Sequence, residues 1–196
     1  MNKTRLEAFS DGVLAILITI MVLELKAPHA GTLEALREVG MPFCAYLLSF
    51  LYLGIYWNNH HHMFHATKVV SGGILWANLH LLFWLSLIPF VTDWMGESHL
   101  SALATAAYGT VLLLAAVAYW ILQQCILRQE GNASILARAV GRDLKGKLSP
   151  VGYAIGIAAA FWHAWISAAI YLAVALIWLI PDRRIERELA KHGPAG

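Results

Sequence analysis

Charged side chains are scarce in this chain of 196 residues: Asp, Glu, Lys and Arg make up 13% of it, against about 25% in soluble domains. Apolar residues make up 59%, so a lipid bilayer is the solvent that fits this composition. Only two cysteines are present, Cys44 and Cys125, and both lie in apolar runs, which excludes a disulfide scaffold. The net charge is only +2, too small for the basic surface that nucleic-acid binding requires. We therefore expect a membrane protein with no nucleic-acid partner.

Motifs of enzyme chemistry are also absent from the sequence. There is no nucleotide-binding glycine loop, no H-E-x-x-H motif and no cluster of carboxylates that a hydrolase would need. A cleavable signal peptide is not expected, because Asp11 interrupts the first apolar run and no small-x-small cleavage site follows it. We expect neither an enzyme nor a cofactor.

The intervals between charged residues indicate the membrane spans. Five intervals lack Asp, Glu, Lys and Arg: 12–23, 39–67, 69–92, 98–127 and 148–181. A span needs about 20 mostly apolar residues, so the second, third and fourth intervals each predict one helix. The last interval would be about 50 Å long as one helix, well beyond a hydrocarbon core of about 30 Å. We divide it at residues 161–165, FWHAW, because paired Trp and His fit a turn at the headgroup level. Pro89 is expected to kink or end the third span.

The distribution of basic residues supports this division. With six spans and a cytosolic N-terminus, twelve of the fourteen Lys and Arg residues lie on the cytosolic side, and only Lys26 and Arg37 lie outside. With five spans the division would be eight against six. We therefore predict an all-α membrane protein with six transmembrane helices in one domain, residues 1–181, followed by a charged cytosolic tail, residues 182–196. Both termini are expected in the cytosol.

The first span differs from the others because charged residues surround its short apolar stretch. These residues are Arg5, Glu7, Asp11 and Glu24. Ionisable groups within a membrane are costly and usually face protein or water, so we expect the first helix to be central and shielded by the other five.

A helical projection at about 100° per residue separates two sides of the first span. One face carries small, apolar and hydroxylated residues: Gly12, Ile16, Thr19, Ile20 and Leu23. Ser10 and Asp11 point away from that face, toward neighbouring helices. Such a stripe is also usual in simple helix packing. If several copies met around an axis, however, it would form stacked apolar rings with one ring of hydroxyls, and hydrophobic constrictions of this kind gate channels by dewetting.

Three segments of the sequence resemble the TMEM175 potassium-channel family. Residues 5–12, RLEAFSDG, resemble the R-x-x-x-F-S-D signature on the first helix of the family. Residues 57–61, WNNHH, resemble its Trp-x-x-His-His stretch, and residues 78–90 resemble its third helix. Prokaryotic members are single six-helix chains, so the resemblance implies a homotetramer around the first helix in the plasma membrane, with potassium ions as the permeant species.

The resemblance also implies roles for individual residues of the first span. The signature residues would hold this helix to its neighbours: Arg5, Phe9, Ser10 and Asp11. Their polar partners would come from the second and third spans: Trp57, His60, His61 and Asn78.

The pore itself is assigned by the same resemblance. Ile16 matches the narrow hydrophobic constriction, Thr19 the hydroxyl layer tied to potassium preference, and Leu23 the next apolar ring outward. No Thr-Val-Gly-Tyr-Gly segment is present to form a carbonyl filter, so the expected selectivity for potassium over sodium is modest.

Two alternatives stay open at this stage. The cluster of His60, His61, His62 and His65 could bind a metal, but no carboxylate or thiolate lies nearby in sequence, so we assign no metal site. A proton- or metal-coupled secondary transporter could use Asp11, Glu24 and these histidines. Against it, the first three spans do not resemble the last three, as inverted repeats would.

Overall fold

The computed structural model describes residues 2–65, 67, 69–131 and 144–179. Within these ranges the chain forms eight helices: α1 Lys3–Leu23, α2 Leu33–Glu38, α3 Gly40–His65, α4 Gly72–Ser86, α5 Ile88–Glu97, α6 Ala102–Glu130, α7 Leu144–Ala160 and α8 Ala164–Leu179. The predicted charged tail, residues 182–196, lies outside the described residues, and so do Lys68, Arg138 and Arg142, which belong to the twelve basic residues expected on the cytosolic side.

Six helical segments of the described chain correspond in position to the six predicted spans. Four of them are long and apolar enough to cross a bilayer: α1, α3, the pair α4 and α5, and α6. α7 and α8 are shorter, with 17 and 16 residues. The prediction of an all-α membrane protein with six helical spans is confirmed.

The last apolar interval is divided where the Trp and His residues occur. α7 ends at Ala160, and α8 begins at Ala164 after a three-residue turn. The two helices then run antiparallel: Ser167 Oγ donates to the Gly156 carbonyl at 2.7 Å near the turn, and Trp178 Nε1 donates to Ser149 Oγ at 2.7 Å farther along the pair. The predicted division at residues 161–165 is therefore confirmed.

The third span is broken near its proline, as the sequence predicts. α4 ends at Ser86, and α5 begins at Ile88 with Pro89 in its first turn. Proline is tolerated there because the first turn of a helix needs no N–H donor. The N–H of Leu87 donates back to the Trp84 carbonyl at 3.2 Å and closes the end of α4.

α1 lies at one side of the helix bundle. It packs against α3, α4 and α5, while α6 packs against α4, α5, α7 and α8. One stripe of α1 is buried: Leu6, Ser10, Leu14, Leu17 and Met21. The expected shielding by all five other spans is thus incomplete within the single chain. Three neighbouring helices are enough to keep charge away from lipid along this stretch of α1, because the uncovered face carries no charge between Gly12 and Leu23.

Candidate functional site

α1 begins at a side-chain cap and remains regular through its apolar stretch. Asn2 caps it, since its side chain accepts a hydrogen bond from the Thr4 N–H at 3.1 Å. Ser10 is fully buried in the helix interior, and its hydroxyl donates to the Leu6 carbonyl at 2.9 Å. The remaining lone pairs of Ser10 Oγ can accept a bond from a neighbouring helix.

Three buried polar side chains join α1 to α3 and α4. Asn78 Nδ2 donates to Ser10 Oγ at 2.9 Å, and Asn78 Oδ1 lies 2.8 Å from His60 Nε2. An amide oxygen only accepts hydrogen bonds, so His60 donates through Nε2. Ser10 and Asn78 are fully buried, and His60 is 2% exposed. We call these three residues the polar anchor; it satisfies each member while tying one side of α1 to two other helices.

Asp11 has a separate partner at the edge of the same contact. Trp57 Nε1 donates to Asp11 Oδ1 at 3.0 Å, and both residues are exposed. His61 stacks on Trp57, with ring centroids 6.5 Å apart. The structure therefore brings Ser10 and Asp11 together with Trp57, His60 and Asn78, and His61 supports the indole.

The two other signature residues are placed differently. Arg5 and Phe9 are exposed in the single chain, Phe9 at 52%. The structure does not bury them against the helices that hold Ser10. The signature thus divides into three parts: Ser10 is buried and bonded to Asn78 of α4, Asp11 is exposed and bonded to Trp57 of α3, and Arg5 and Phe9 are exposed on the outside of α1.

The opposite face of α1 is uncovered along its length. Gly12 and Thr19 are exposed, Ile16 is 57% exposed, Ile20 38% and Leu23 80%. These five residues are the ones that the helical projection puts on one face. A single chain thus leaves an uncharged, mostly apolar stripe exposed.

Thr19 is the one hydroxyl residue of the uncovered stripe. Its Oγ1 donates to the Ile16 carbonyl of its own helix at 2.9 Å. The hydroxyl proton is thereby engaged with the backbone, and the oxygen lone pairs are left as acceptors. Thr19 can therefore present an oxygen, rather than a proton, to whatever lies beside the stripe.

Two further contacts fix the ends of α1, and sequence reasoning identified neither. Lys3 Nζ donates to the His65 carbonyl at 3.4 Å, which joins the start of α1 to the end of α3. At the other end, Lys26 forms an ion pair with Glu97 of α5. The hydrogen bond and charge of Glu97 raise the pKa of Lys26. The scarcity of basic residues on that side of the chain is the only sequence signal that singles out Lys26.

The histidines near the end of α3 do not converge. The rings of His61 and His62 lie 5.7 Å apart, and those of His61 and His65 lie 6.3 Å apart. His60 turns inward to the polar anchor instead. Within the described ranges, no group of three or more His, Cys, Asp or Glu side chains is arranged to hold a metal ion.

Comparison with known proteins identifies the class of the molecule. The family model described as endosomal/lysosomal potassium channel TMEM175 matches residues 5–89. A protein named as a potassium channel from Chryseobacterium sp. (strain P1-3) is 53% identical over 192 residues, covering 98% of this chain and all of that protein. Another, from Streptomyces collinus, is 31% identical over 191 residues and covers 91% of this chain and 92% of that one.

A solved structure agrees with this grouping. It is described as a lysosomal potassium-selective channel TMEM175 homolog from Chamaesiphon minutus, and it superposes with a TM-score of 0.80 at 25% identity, over 92% of this chain and 97% of that chain. The fold and these relatives define a cation channel of the membrane. The chain belongs to the TMEM175 family.

Proposed function

We propose that four copies of this chain assemble around α1 into a potassium channel without a carbonyl filter. The observation that carries this proposal is the uncovered stripe of α1, which lies opposite the buried stripe of the same helix. An apolar face of this length needs either lipid or protein against it. A second copy of α1 fits better than lipid, because Gly12 and Thr19 interrupt the apolar residues, and small and hydroxylated residues are typical of contacts between membrane helices.

Ile16 forms the constriction in this assembly. Four isoleucine side chains around an axis make a narrow apolar ring that water leaves readily, which raises a barrier to ions. Thr19 lies one turn farther along and supplies a ring of oxygen acceptors. These oxygens replace part of the hydration shell of a cation, and potassium gives up its water at lower cost than sodium. Leu23 forms the next apolar ring.

The polar anchor sets which residues face the axis. Ser10 and Ile16 are six positions apart, which corresponds to about 120° around the helix. Because Asn78 holds Ser10 against α4 and is itself bonded to His60 of α3, α1 cannot rotate freely, and Ile16 stays turned toward the uncovered side. The anchor therefore acts on the pore through the orientation of α1.

The channel lies in the plasma membrane with both termini in the cytosol. The start of α1 lies beside the end of α3, and the Val69 N–H donates to Glu130 at the end of α6 at 3.4 Å. The same end of the bundle carries basic residues: Lys3, Arg5, Arg128, Lys145 and Lys147. The positive-inside rule favours the cytosol for such an end.

Liposome flux tests the constriction. Ile16→Ser should raise the basal potassium efflux several-fold, because a hydroxyl in the narrow ring keeps it wet. Val22→Ser is the matched control: Val22 is an apolar residue of α1 that is 47% exposed and lies off the uncovered stripe. Unchanged efflux in the Ile16 variant, or equal increases in both, would remove Ile16 from the constriction.

Bilayer recordings in asymmetric potassium and sodium test the hydroxyl layer. Thr19→Val keeps the shape of the side chain and removes the oxygen, so the potassium-over-sodium permeability ratio should fall. An intact ratio would exclude Thr19 from selectivity.

Two further outcomes test the channel as a whole. Flux that saturates and requires a pH gradient would indicate coupled transport rather than a channel. A purified protein that is not tetrameric would contradict the assembly.

A further inference from the structure

A cavity of about 360 Å³ lies among α3, α6, α7 and α8, away from α1. Its volume is within the range of about 300–1,000 Å³ that small-ligand sites occupy. The cavity exists because aromatic side chains keep α3 and α6 apart: the rings of Tyr56 and Tyr119 meet edge to face at 6.1 Å, and the Tyr119 hydroxyl donates to the Asn59 carbonyl at 3.5 Å. The space is therefore held open by rigid, packed side chains.

The chemistry of the cavity changes along its length. Toward the middle of the bundle its lining is aromatic and aliphatic, with Tyr52, Tyr153 and Ala116. Toward the end of the bundle where α1 begins, the lining becomes polar, and it includes Asn59, Gln123, Gln124 and Lys147. The three helices that contribute most of the lining change from apolar to polar in the same direction. A ligand that fits has one apolar and one polar end.

The polar end of the cavity is positive. Among the described residues that line the cavity none is acidic, and Lys147, which is exposed, makes no ion pair with any other described residue. The lining amides can donate hydrogen bonds to an oxyanion beside this ammonium group. The complementary group is therefore an anion such as a phosphate.

Part of the apolar lining is exposed. Val117 and Trp120 of α6 line the cavity and are 37% and 58% exposed. In a bilayer that surface faces lipid, so an acyl chain can enter sideways without crossing water. Trp120 and Trp178, which also lines the cavity, are residues of the kind that accumulate at the headgroup level.

We propose that this cavity binds an anionic phospholipid of the cytosolic leaflet, with one acyl chain among the tyrosines and the phosphate at Lys147. Basic residues at a membrane surface attract anionic lipids, and here the attraction is combined with a shaped apolar site. The proposal does not depend on the pore, since no residue of α1 lines the cavity.

Lipid retention, counted by native mass spectrometry of the purified full chain, tests the site. The probes are dioleoyl phosphatidylglycerol and dioleoyl phosphatidylcholine, which differ in headgroup charge and share their acyl chains. The wild-type chain should retain one phosphatidylglycerol in preference to phosphatidylcholine. Lys147→Gln should reduce this preference about five-fold, the loss expected for one basic residue at a membrane surface. Lys145→Gln, two positions away on the same helix and outside the lining, is the matched control.

A second variant tests the apolar part of the site. Ala116→Phe places a ring in the cavity and should lower the retention of both lipids. If it does not fold, the Lys147 variant, a change of one exposed side chain, still decides the matter. Equal retention of the two lipids by the wild-type chain, or equal effects of the Lys147 and Lys145 variants, would overturn the proposal. So would displacement of the lipid by glycerol phosphate alone, which would indicate a headgroup site without an acyl chain.

Discussion

α1 and α8 are attached to the bundle by different kinds of contact. α1 is held on one side by the polar anchor and leaves its other side uncovered. α8 donates hydrogen bonds to α7 from Ser167 and Trp178, and its closest packing is at Tyr171, a fully buried side chain inserted between α6 and α7. The fit is close: a Cβ added at Gly109 would lie 2.0 Å from the Tyr171 hydroxyl oxygen, and one added at Gly156 would lie 2.3 Å from Tyr171 Cε1.

The two kinds of contact have different effects: one sets the orientation of α1, and the other holds the helices together. In a bilayer, helices associate chiefly through close packing at small residues, whereas one interhelical hydrogen bond contributes about 0.6 kcal/mol on average. Shape complementarity at Tyr171 therefore stabilises the fold. The directional bonds of Ser10, Asn78 and His60 contribute less free energy but fix the rotation of α1. Changes at α8 should lower stability, and changes at the polar anchor should alter conduction.

The largest expected effect is on stability, from Gly156→Ala. The new methyl group collides with a ring that is enclosed on all sides, so the free energy of unfolding should fall by about 3 kcal/mol, the upper end of overpacking costs. Unfolding in mixed detergent micelles titrated with sodium dodecyl sulfate measures this loss. Gly54→Ala is the control, because a Cβ there meets nothing within 4 Å, and its stability should be unchanged or slightly raised.

This prediction has a second part that concerns conduction. Gly156→Ala chains that remain folded should keep the wild-type potassium-over-sodium ratio, because the contacts that Tyr171 makes are with α3, α6 and α7. A changed ratio would mean that packing at α8 also controls the pore, and the distinction between the two attachments would fail.

A smaller loss of stability is expected from Asn78→Ala. The substitution leaves Ser10 and His60 buried without their shared partner, which should cost about 1–2 kcal/mol in the same titration. Here the permeability ratio should fall, because α1 is freed to rotate and Ile16 and Thr19 no longer face the axis uniformly. Asn58→Ala, an exposed amide on α3, should change neither quantity. Loss of stability with an intact ratio would show that the anchor does not orient the pore.

Much of the fold can be predicted from the sequence, since it depends on patterns that are local along the chain. The charge-free intervals gave the spans, Pro89 gave the break in the third, and the Trp and His residues at 161–165 gave the final turn. The grouping of the stripe residues on one face of α1 follows from helical periodicity alone, because the same 100° step that groups Ile16 with Thr19 puts Leu14 on the other side. That this face is the uncovered one comes from the structure.

The contacts that join distant segments could not be predicted in the same way. Gly109, Gly156 and Tyr171 lie on three helices, and small residues are common in membrane spans, so nothing local marks these three as partners. Asn78 was a candidate partner of α1, but its simultaneous bonds to Ser10 and His60 require the three-dimensional arrangement. The cavity beside Lys147 arises from the gap between α3 and α6, and no periodicity in the sequence predicts such a gap.

The smallest expected effect comes from Trp57→Phe. This change removes the hydrogen bond to Asp11 and keeps an aromatic ring, and because both partners are exposed the stability should fall by no more than about 0.5 kcal/mol. The permeability ratio should stay near that of the wild type, as it should for Trp76→Phe, a control 75% exposed on α4. A larger fall in the permeability ratio than that caused by Asn78→Ala would mean that α1 is oriented from its exposed edge at Asp11. The buried anchor would then contribute cohesion, as Tyr171 does, and the two attachments would differ only in degree.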